Sequence, residues 1–150
     1  MKPTDPCQFD SSVWIIGQND PVWFSTLVAD LEDVATCQAA VGEYCVGLYA
    51  PRIKATRDQV REFYSQSIQA VACHPHLPDD FDDAARLIGE AIFASAAKPS
   101  FPDGLIAACA LRLDRIVWTI DDVDFKAMGC RVFNPLKDPA TKPAAKPAAK

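Results

Sequence analysis

The sequence predicts an α/β sandwich built on a central, mostly parallel sheet flanked by helices, and three observations carry that expectation. Short apolar runs of β type alternate with longer segments of helical period from Cys7 to Phe133, the pattern of repeated β-α-β units. The run Ile116-Val117-Trp118 is apolar throughout, as a strand covered on both faces must be. Hydrophobic residues make up 49% of the 150 and charged residues 23%, so the chain has the composition of one packed domain and not of a disordered segment.

Taken in order, Cys7 to Phe9 is a brief strand ending at Asp10, and Val13 to Ile16 continues as an apolar helical or turn segment. Pro21 suits the first turn of a helix in which Trp23, Leu27 and Leu31 recur at spacing four and form a core stripe. Val34 to Cys37 is a strand, and Gln38 to Tyr49 is a mostly apolar helix closed by Pro51. Thr56 to Val71 is predicted as one long helix with Val60, Phe63, Tyr64, Ile68 and Val71 inward. Val71 to Cys73 is a strand, and the loop His74-Pro75-His76-Leu77-Pro78 follows. A helix over Asp80 to Ala97 carries Asp80, Asp82 and Asp83 early, where negative charge suits the helix dipole. A Pro-containing loop at 99 to 102 precedes a helix over Asp103 to Leu113. Arg115 to Thr119 and Arg131 to Phe133 are the last strands.

Residues 1–136 form the expected domain. The remaining stretch, 137–150, is a low-complexity Lys/Pro/Ala tail whose prolines at 139, 143 and 147 exclude a helix, so it is expected to be extended and disordered. The net charge of -5 argues against a protein that holds nucleic acid by bulk positive charge, and without the tail 11 basic residues face 19 acidic ones. No apolar run approaches the roughly 18 to 20 residues of a membrane span, and the N-terminus does not resemble a secretory signal. A cytoplasmic protein with no membrane association is therefore expected. The six cysteines are scattered and mostly lie in apolar segments, so reduced, buried thiols are expected in place of a disulfide framework or a zinc quartet.

Ligands of parallel α/β sheets gather beyond the carboxyl ends of the strands. Asp10 closes the first strand, and Asp121, Asp122 and Asp124 follow Ile116 to Thr119. Glu43 is the only charge in the segment Cys37 to Tyr49, and Asp103 opens a helix whose next turns are Ile106, Ala107, Ala110 and Leu111. Each has a structural explanation of its own: a helix cap for Asp103, an Asx-turn for Asp10, a solvated turn for 121 to 124, a buried arginine partner for Glu43. Their joint placement points elsewhere. Converging carboxylates repel and raise one another's pKa unless a cation lies between them, and oxygen-rich sites take hard divalent ions such as Mg²⁺ or Mn²⁺.

The same residues carry a family likeness. Phe9-Asp10-Ser11-Ser12-Val13-Trp14-Ile15 resembles the opening of PIN domains. Val41-Gly42-Glu43-Tyr44-Cys45-Val46-Gly47 resembles the context of their helical glutamate. Asp103-Gly104-Leu105-Ile106-Ala107-Ala108-Cys109-Ala110 is similar to their third acidic motif. Ile116-Val117-Trp118-Thr119-Ile120-Asp121, Asp124-Phe125 and Arg131-Val132-Phe133-Asn134-Pro135 are similar to the closing segments. The likeness spans about residues 8 to 136, and Gln8, Gly104, Ile120 and the basic tail depart from it. It implies a three-layer PIN-like sandwich and a VapC-type toxin ribonuclease, a homodimer paired with a VapB-like antitoxin. It also implies catalytic and metal-binding roles for Asp10, Glu43, Asp103 and Asp121, with Ser11 and Thr119 as nearby hydroxyls. The fourth acid is Asp or Asn in the family, so Asp124 competes with Asp121 for the metal.

The expected chemistry is hydrolysis of RNA phosphodiesters by water activated on Mg²⁺ or Mn²⁺, with Arg52, Lys54, Arg57, Arg112 and Arg115 available as positive flanks. The alternative is a catalytically silent PIN-fold binding or regulatory module, distinguished by failing to bind an ion. A structure-specific DNA nuclease needs clamping helices for which 150 residues leave little room. Cys73, His74 and His76 are expected to form a plain loop, and Trp14, Trp23 and Trp118 to pack in the core and not to stack on bases.

Overall fold

The computed structural model describes residue 2 and residues 4–50 and 56–137. Arg52, Lys54 and residues 138–150 of the expected tail lie outside the described residues. Five short strands form one all-parallel sheet: β1 (Cys7–Phe9), β2 (Val34–Cys37), β3 (Ala72–His74), β4 (Ile116–Trp118) and β5 (Val132–Phe133). Their order is β3-β2-β1-β4-β5, with Cys7 of β1 aligned to Val34 on one side and Ile116 on the other. The chain thus builds outward from β1 to β3, then returns to the far side of β1. That reversal places a topological switch point between β1 and β4, where parallel sheets open a crevice at their carboxyl edge.

Seven helices cover the sheet among the described residues: α1 (Ser11–Asn19), α2 (Pro21–Val28), α3 (Gln38–Tyr49), α4 (Arg57–Phe63), α5 (Pro78–Ala94), α6 (Phe101–Arg112) and α7 (Asp122–Ala127). The two-residue period of the strands sorts their side chains between two cores. Cys7, Phe9, Ile116 and Trp118 join an aromatic layer with Trp14, Phe24 and Phe63. Ring centroids there lie 5.0 to 6.4 Å apart, within the range of favourable aromatic contacts. Val117 faces the opposite core, where Ile106, Ala107, Ala110, Leu87 and Phe125 pack. Small residues on α6 let α5 approach closely: a Cβ at Gly104 would stand 2.6 Å from Cδ1 of Ile88 and 3.1 Å from Cβ of Ala84. Gly104 is therefore a packing residue of the α5–α6 contact.

Where elements differ from expectation, local chemistry explains it. The segment after Asp10 is a full helix, because the Asp10 carboxylate accepts from the Val13 N–H and caps it. The helix expected over Thr56 to Val71 ends at Phe63 and passes into a π-helical turn, Tyr64–Ile68, with Gln69 N–H bonded to Tyr64 O. The wider turn lets Phe63 and Ile68, five residues apart, both reach the aromatic core. Strand β3 begins one residue later than expected. Pro78 and Pro102 lie in the first turns of α5 and α6, not in loops, since a proline there lacks only an N–H that the helix leaves unused. Helix α7, read as a turn in the sequence, is short and has too few residues to show a period. Trp14 and Trp118 are core residues, as expected.

Between α2 and α4 an open groove of about 1010 Å³ is lined by Phe9, Trp14, Phe24 and Phe63 and rimmed by Glu32 and Glu62. None of the described helices is long and apolar enough to cross a membrane.

Candidate active site

The switch point is built from β1, β4 and the first turns of two helices. Asp10 leaves the end of β1 as the N-cap of α1 and is 4% exposed. Three donors hold its carboxylate. Ser12 Oγ donates to Oδ1 at 2.5 Å, Val13 N–H to Oδ1 at 3.2 Å, and Thr119 Oγ1 to Oδ2 at 2.6 Å. Burial pushes the Asp10 pKa up to about 6, the Asp103 charge adds to the rise, and the three hydrogen bonds oppose it.

Thr119 and Ser12 also hang the loop after β4 on the same carboxylate. Thr119 Oγ1 accepts from the Asp121 N–H at 3.0 Å, and Ser12 Oγ accepts from the Ile120 N–H at 3.2 Å. The placement of Asp121 is thereby tied to Asp10 through two hydroxyls. Ser12 was not singled out in the sequence; its signal is a hydroxyl in the first turn after a capping Asp.

Glu43 stands on α3 and is half-buried. Ser11 Oγ donates to its Oε2 at 3.0 Å, and burial raises its pKa, followed by the charges of Asp103 and Asp10. Asp103 is at the start of α6 in a reciprocal capping box: Ser100 N–H and Oγ donate to its Oδ2 at 2.8 and 2.7 Å, and its own N–H returns to Ser100 Oγ. The capping role anticipated for Asp103 therefore coexists with its place at the site. Asp121 is exposed; partial desolvation raises its pKa, with the charges of Asp124, Asp103 and Asp122 adding.

The charge of Asp103 thus acts on Asp10, Glu43 and Asp121 alike. Asp124 Oδ1 accepts from the Lys98 N–H at 3.2 Å, and its charge also acts on Asp121. Asp122 is a structural anchor, 6% exposed, with Lys126 Nζ at 2.8 Å, Lys137 Nζ at 2.7 Å and Asn134 Nδ2 at 3.1 Å, and these donors hold its pKa well below the usual carboxylate range. Among the described residues, Asp10, Glu43, Asp103 and Asp121 form no ion pair with a Lys, Arg or His. Arg112 and Arg115, expected as flanks of the site, are engaged elsewhere: Arg112 with Asp80, and Arg115 with Asp33 at 2.8 Å, at the opposite edge of the sheet.

The donor set is all oxygen, which fits a hard divalent cation, and the hydrogen bonds to Glu43 and Asp103 use one carboxylate oxygen of each. Among the described residues, however, no three His, Cys, Asp or Glu side chains stand assembled as a metal-binding group.

No family model and no curated protein matches the sequence. Solved structures do match. FitAcB from Neisseria gonorrhoeae superposes with a TM-score of 0.71 at 23% identity, covering 87% of this chain and 99% of that one. VapBC-5 from Mycobacterium tuberculosis, a member of the VapBC family of toxin-antitoxin systems, gives a TM-score of 0.62 at 27% identity over 85% of this chain and 95% of that one. VapC20 from the same organism, a toxin that cleaves the sarcin-ricin loop, gives 0.63 at 15% identity over 83% and 95%. The fold is the PIN fold. Within it, the acidic residues expected from the sequence occupy the carboxyl edge of the sheet at its switch point.

Proposed function

We propose that this chain is a metal-dependent endoribonuclease acting as the toxin of a VapBC-like toxin-antitoxin pair. The observation that carries the proposal is the uncompensated acidic centre: the charge of Asp103 reaches Asp10, Glu43 and Asp121, and no described cation offsets it. A protein that merely capped helices with these residues would gain nothing from letting them repel one another. Asp10, Glu43, Asp103 and Asp121 would hold one or two Mg²⁺ or Mn²⁺ ions, and Asp124 is the weaker candidate because it serves the Lys98 backbone. A bound ion supplies an activated water and charge stabilisation at the phosphate. The chain's own part is to fix Asp10 through Ser12 and Thr119, to carry Asp121 on the same hydroxyls, and to present Glu43 from α3 and Asp103 from the first turn of α6.

The antitoxin partner and the homodimer are proposed on the likeness to toxin-antitoxin structures. The groove between α2 and α4, whose lining mixes Phe24 and Phe63 with Gln59, Gln66, Glu32 and Glu62, supports a partner segment that carries both apolar and basic side chains. Cleavage of RNA in Mg²⁺ or Mn²⁺, abolished by EDTA and by Asp10→Asn, is the expected result; undiminished cleavage by the variant rejects the assignment. A second reading, a silent PIN-fold module, is favoured by the lack of an assembled metal group among the described residues. Calorimetric titration with Mn²⁺ separates the two, because only the enzyme binds the ion in a manner dependent on Asp10 and Glu43.

A further inference from the structure

Helix α3 carries Glu43 yet lacks a cap of its own. It starts directly from β2, and Cys37 at its N-cap makes no side-chain hydrogen bond to it, although the first N–H groups of any helix need outside acceptors. The acceptor comes from the loop between β3 and α5. Nε2 of His76 accepts from the Ala39 N–H at 3.0 Å, and the His76 N–H returns to Oε1 of Gln38 at 3.2 Å. An imidazole nitrogen that accepts carries no proton, so the His76 proton resides on Nδ1, which is buried without a hydrogen-bond partner, Oδ2 of Asp80 lying 3.6 Å away.

Asp80 is itself immobile. It is 1% exposed, and Nε and Nη2 of Arg112 grip its two oxygens at 3.0 and 2.9 Å while the Leu77 N–H adds a third bond at 2.9 Å. Arg112 is the last residue of α6, the helix whose first turn carries Asp103, and it also reaches the Pro75 carbonyl at 3.2 Å. Hydrogen bonds therefore tie α6, through Arg112 and its partner Asp80, to the Pro75 carbonyl and the Leu77 N–H on either side of His76, and His76 in turn bonds the first turn of α3, one turn before Glu43.

We propose that His76 is a positioning residue, a neutral imidazole carried by a loop whose Pro75 and Leu77 backbone is tied to Arg112 and Asp80, and that it fixes α3, and with it Glu43, relative to the helix bearing Asp103. The proposal rests on the ribonuclease reading for the role of Glu43, but the relay itself does not. Two variants of the full chain test it: His76→Ala, which removes the acceptor, and His76→Gln, whose amide oxygen restores one at the reach of Nε2.

Amide hydrogen exchange in the metal-free protein is expected to quicken about tenfold at Ala39 in His76→Ala, the usual scale for loss of a cap, and to return toward the native rate in His76→Gln. RNA cleavage is expected to fall in His76→Ala and recover in His76→Gln, while the same His76→Ala change adds nothing in a Glu43→Gln background. Equal losses in both backgrounds, or unchanged exchange at Ala39, overturn the proposal. If the native chain cleaves no RNA, the ribonuclease reading fails and the exchange result still decides the relay. Nitrogen NMR of His76 in the native protein gives an arm free of mutation: a proton on Nε2 in place of Nδ1 overturns the relay outright.

Discussion

Asp10→Asn tests the electrostatic account most directly. Asp10 titrates near pH 6 in the fold, against 3.8 for an ordinary aspartate. As pH rises, the unfolded chain therefore loses this proton first, so stability is greatest below 3.8 and declines until the folded carboxylate ionises near 6. At neutral pH the folded state carries a penalty of about 3 kcal/mol for this one charge. Asparagine is neutral throughout and removes that penalty. Its NH₂ group must face a hydroxyl proton of Ser12 or Thr119, since both donate to the carboxylate now, at a cost of about 1 kcal/mol. Asp10→Asn should therefore stabilise the metal-free protein by about 2 kcal/mol at pH 8, or about 6 °C in Tm for a domain of this size. The gain should shrink to about zero at pH 4.5, where the native aspartate is already neutral in the fold. Urea and thermal melts in EDTA at the two pH values measure both numbers. A variant equally destabilised at pH 4.5 and pH 8 would show that Asp10 bears no uncompensated charge, and the case for a cation at this edge would fall with it.

Thr119→Val removes both the bond to Asp10 and the acceptor for the Asp121 N–H; a loss of about 1–3 kcal/mol in urea melts is expected, with a larger relative loss of cleavage than Thr119→Ser shows. Arg112→Met leaves the buried Asp80 carboxylate without its partner, which should cost about 3–5 kcal/mol at pH 7 and less in acid, where the Asp80 that has lost Arg112 can take up a proton; a pH-independent loss would deny the ion pair its role. Gly104→Ala adds a methyl group against Ile88, and overpacking of about 1–3 kcal/mol should exceed the roughly 1 kcal/mol gained in helix propensity; a stabilised variant in thermal melts contradicts the packing assigned to this glycine.

The sheet was legible in the sequence because its central strands β1, β2 and β4 are covered on both faces, so Ile116-Val117-Trp118 and the other short apolar runs stand out between helical segments. Three acidic positions were legible for a related reason. Asp10 and Asp121 follow strands directly, and Glu43 is a lone charge on an apolar helix. The sequence could not show which carboxylates in the 121 to 124 cluster face the site, because that depends on side-chain direction over a six-residue helix with no period to read. The hydrogen bonds differ among them: Asp122 is consumed by two lysines and Asn134, one oxygen of Asp124 accepts from the Lys98 N–H, and the Asp121 backbone N–H is bonded to Thr119. Nor could sequence spacing reveal that Arg112 pairs with Asp80, 32 residues away, or that His76 caps α3. The first contact exists only once α5 and α6 have packed together, and the second only once the loop after β3 lies against the start of α3.

The acids of the site are not equivalent, and their places on the secondary structure say why. Asp10 and Asp103 stand at helix N-termini, where exposed N–H groups and the helix dipole favour negative charge. Burial reverses that advantage for Asp10. Glu43 lies more than a turn inside α3, beyond the reach of that dipole, and Ser11 is its one described hydrogen-bond donor. Its charge is opposed by burial and by both neighbouring aspartates. Glu43 therefore takes little support from the fold itself, a single hydroxyl, and its ionised form depends on what the site binds. That dependence gives the anchoring of α3 its importance: a carboxylate with so few local restraints takes its position from the helix beneath it, and the first turn of that helix is held by His76.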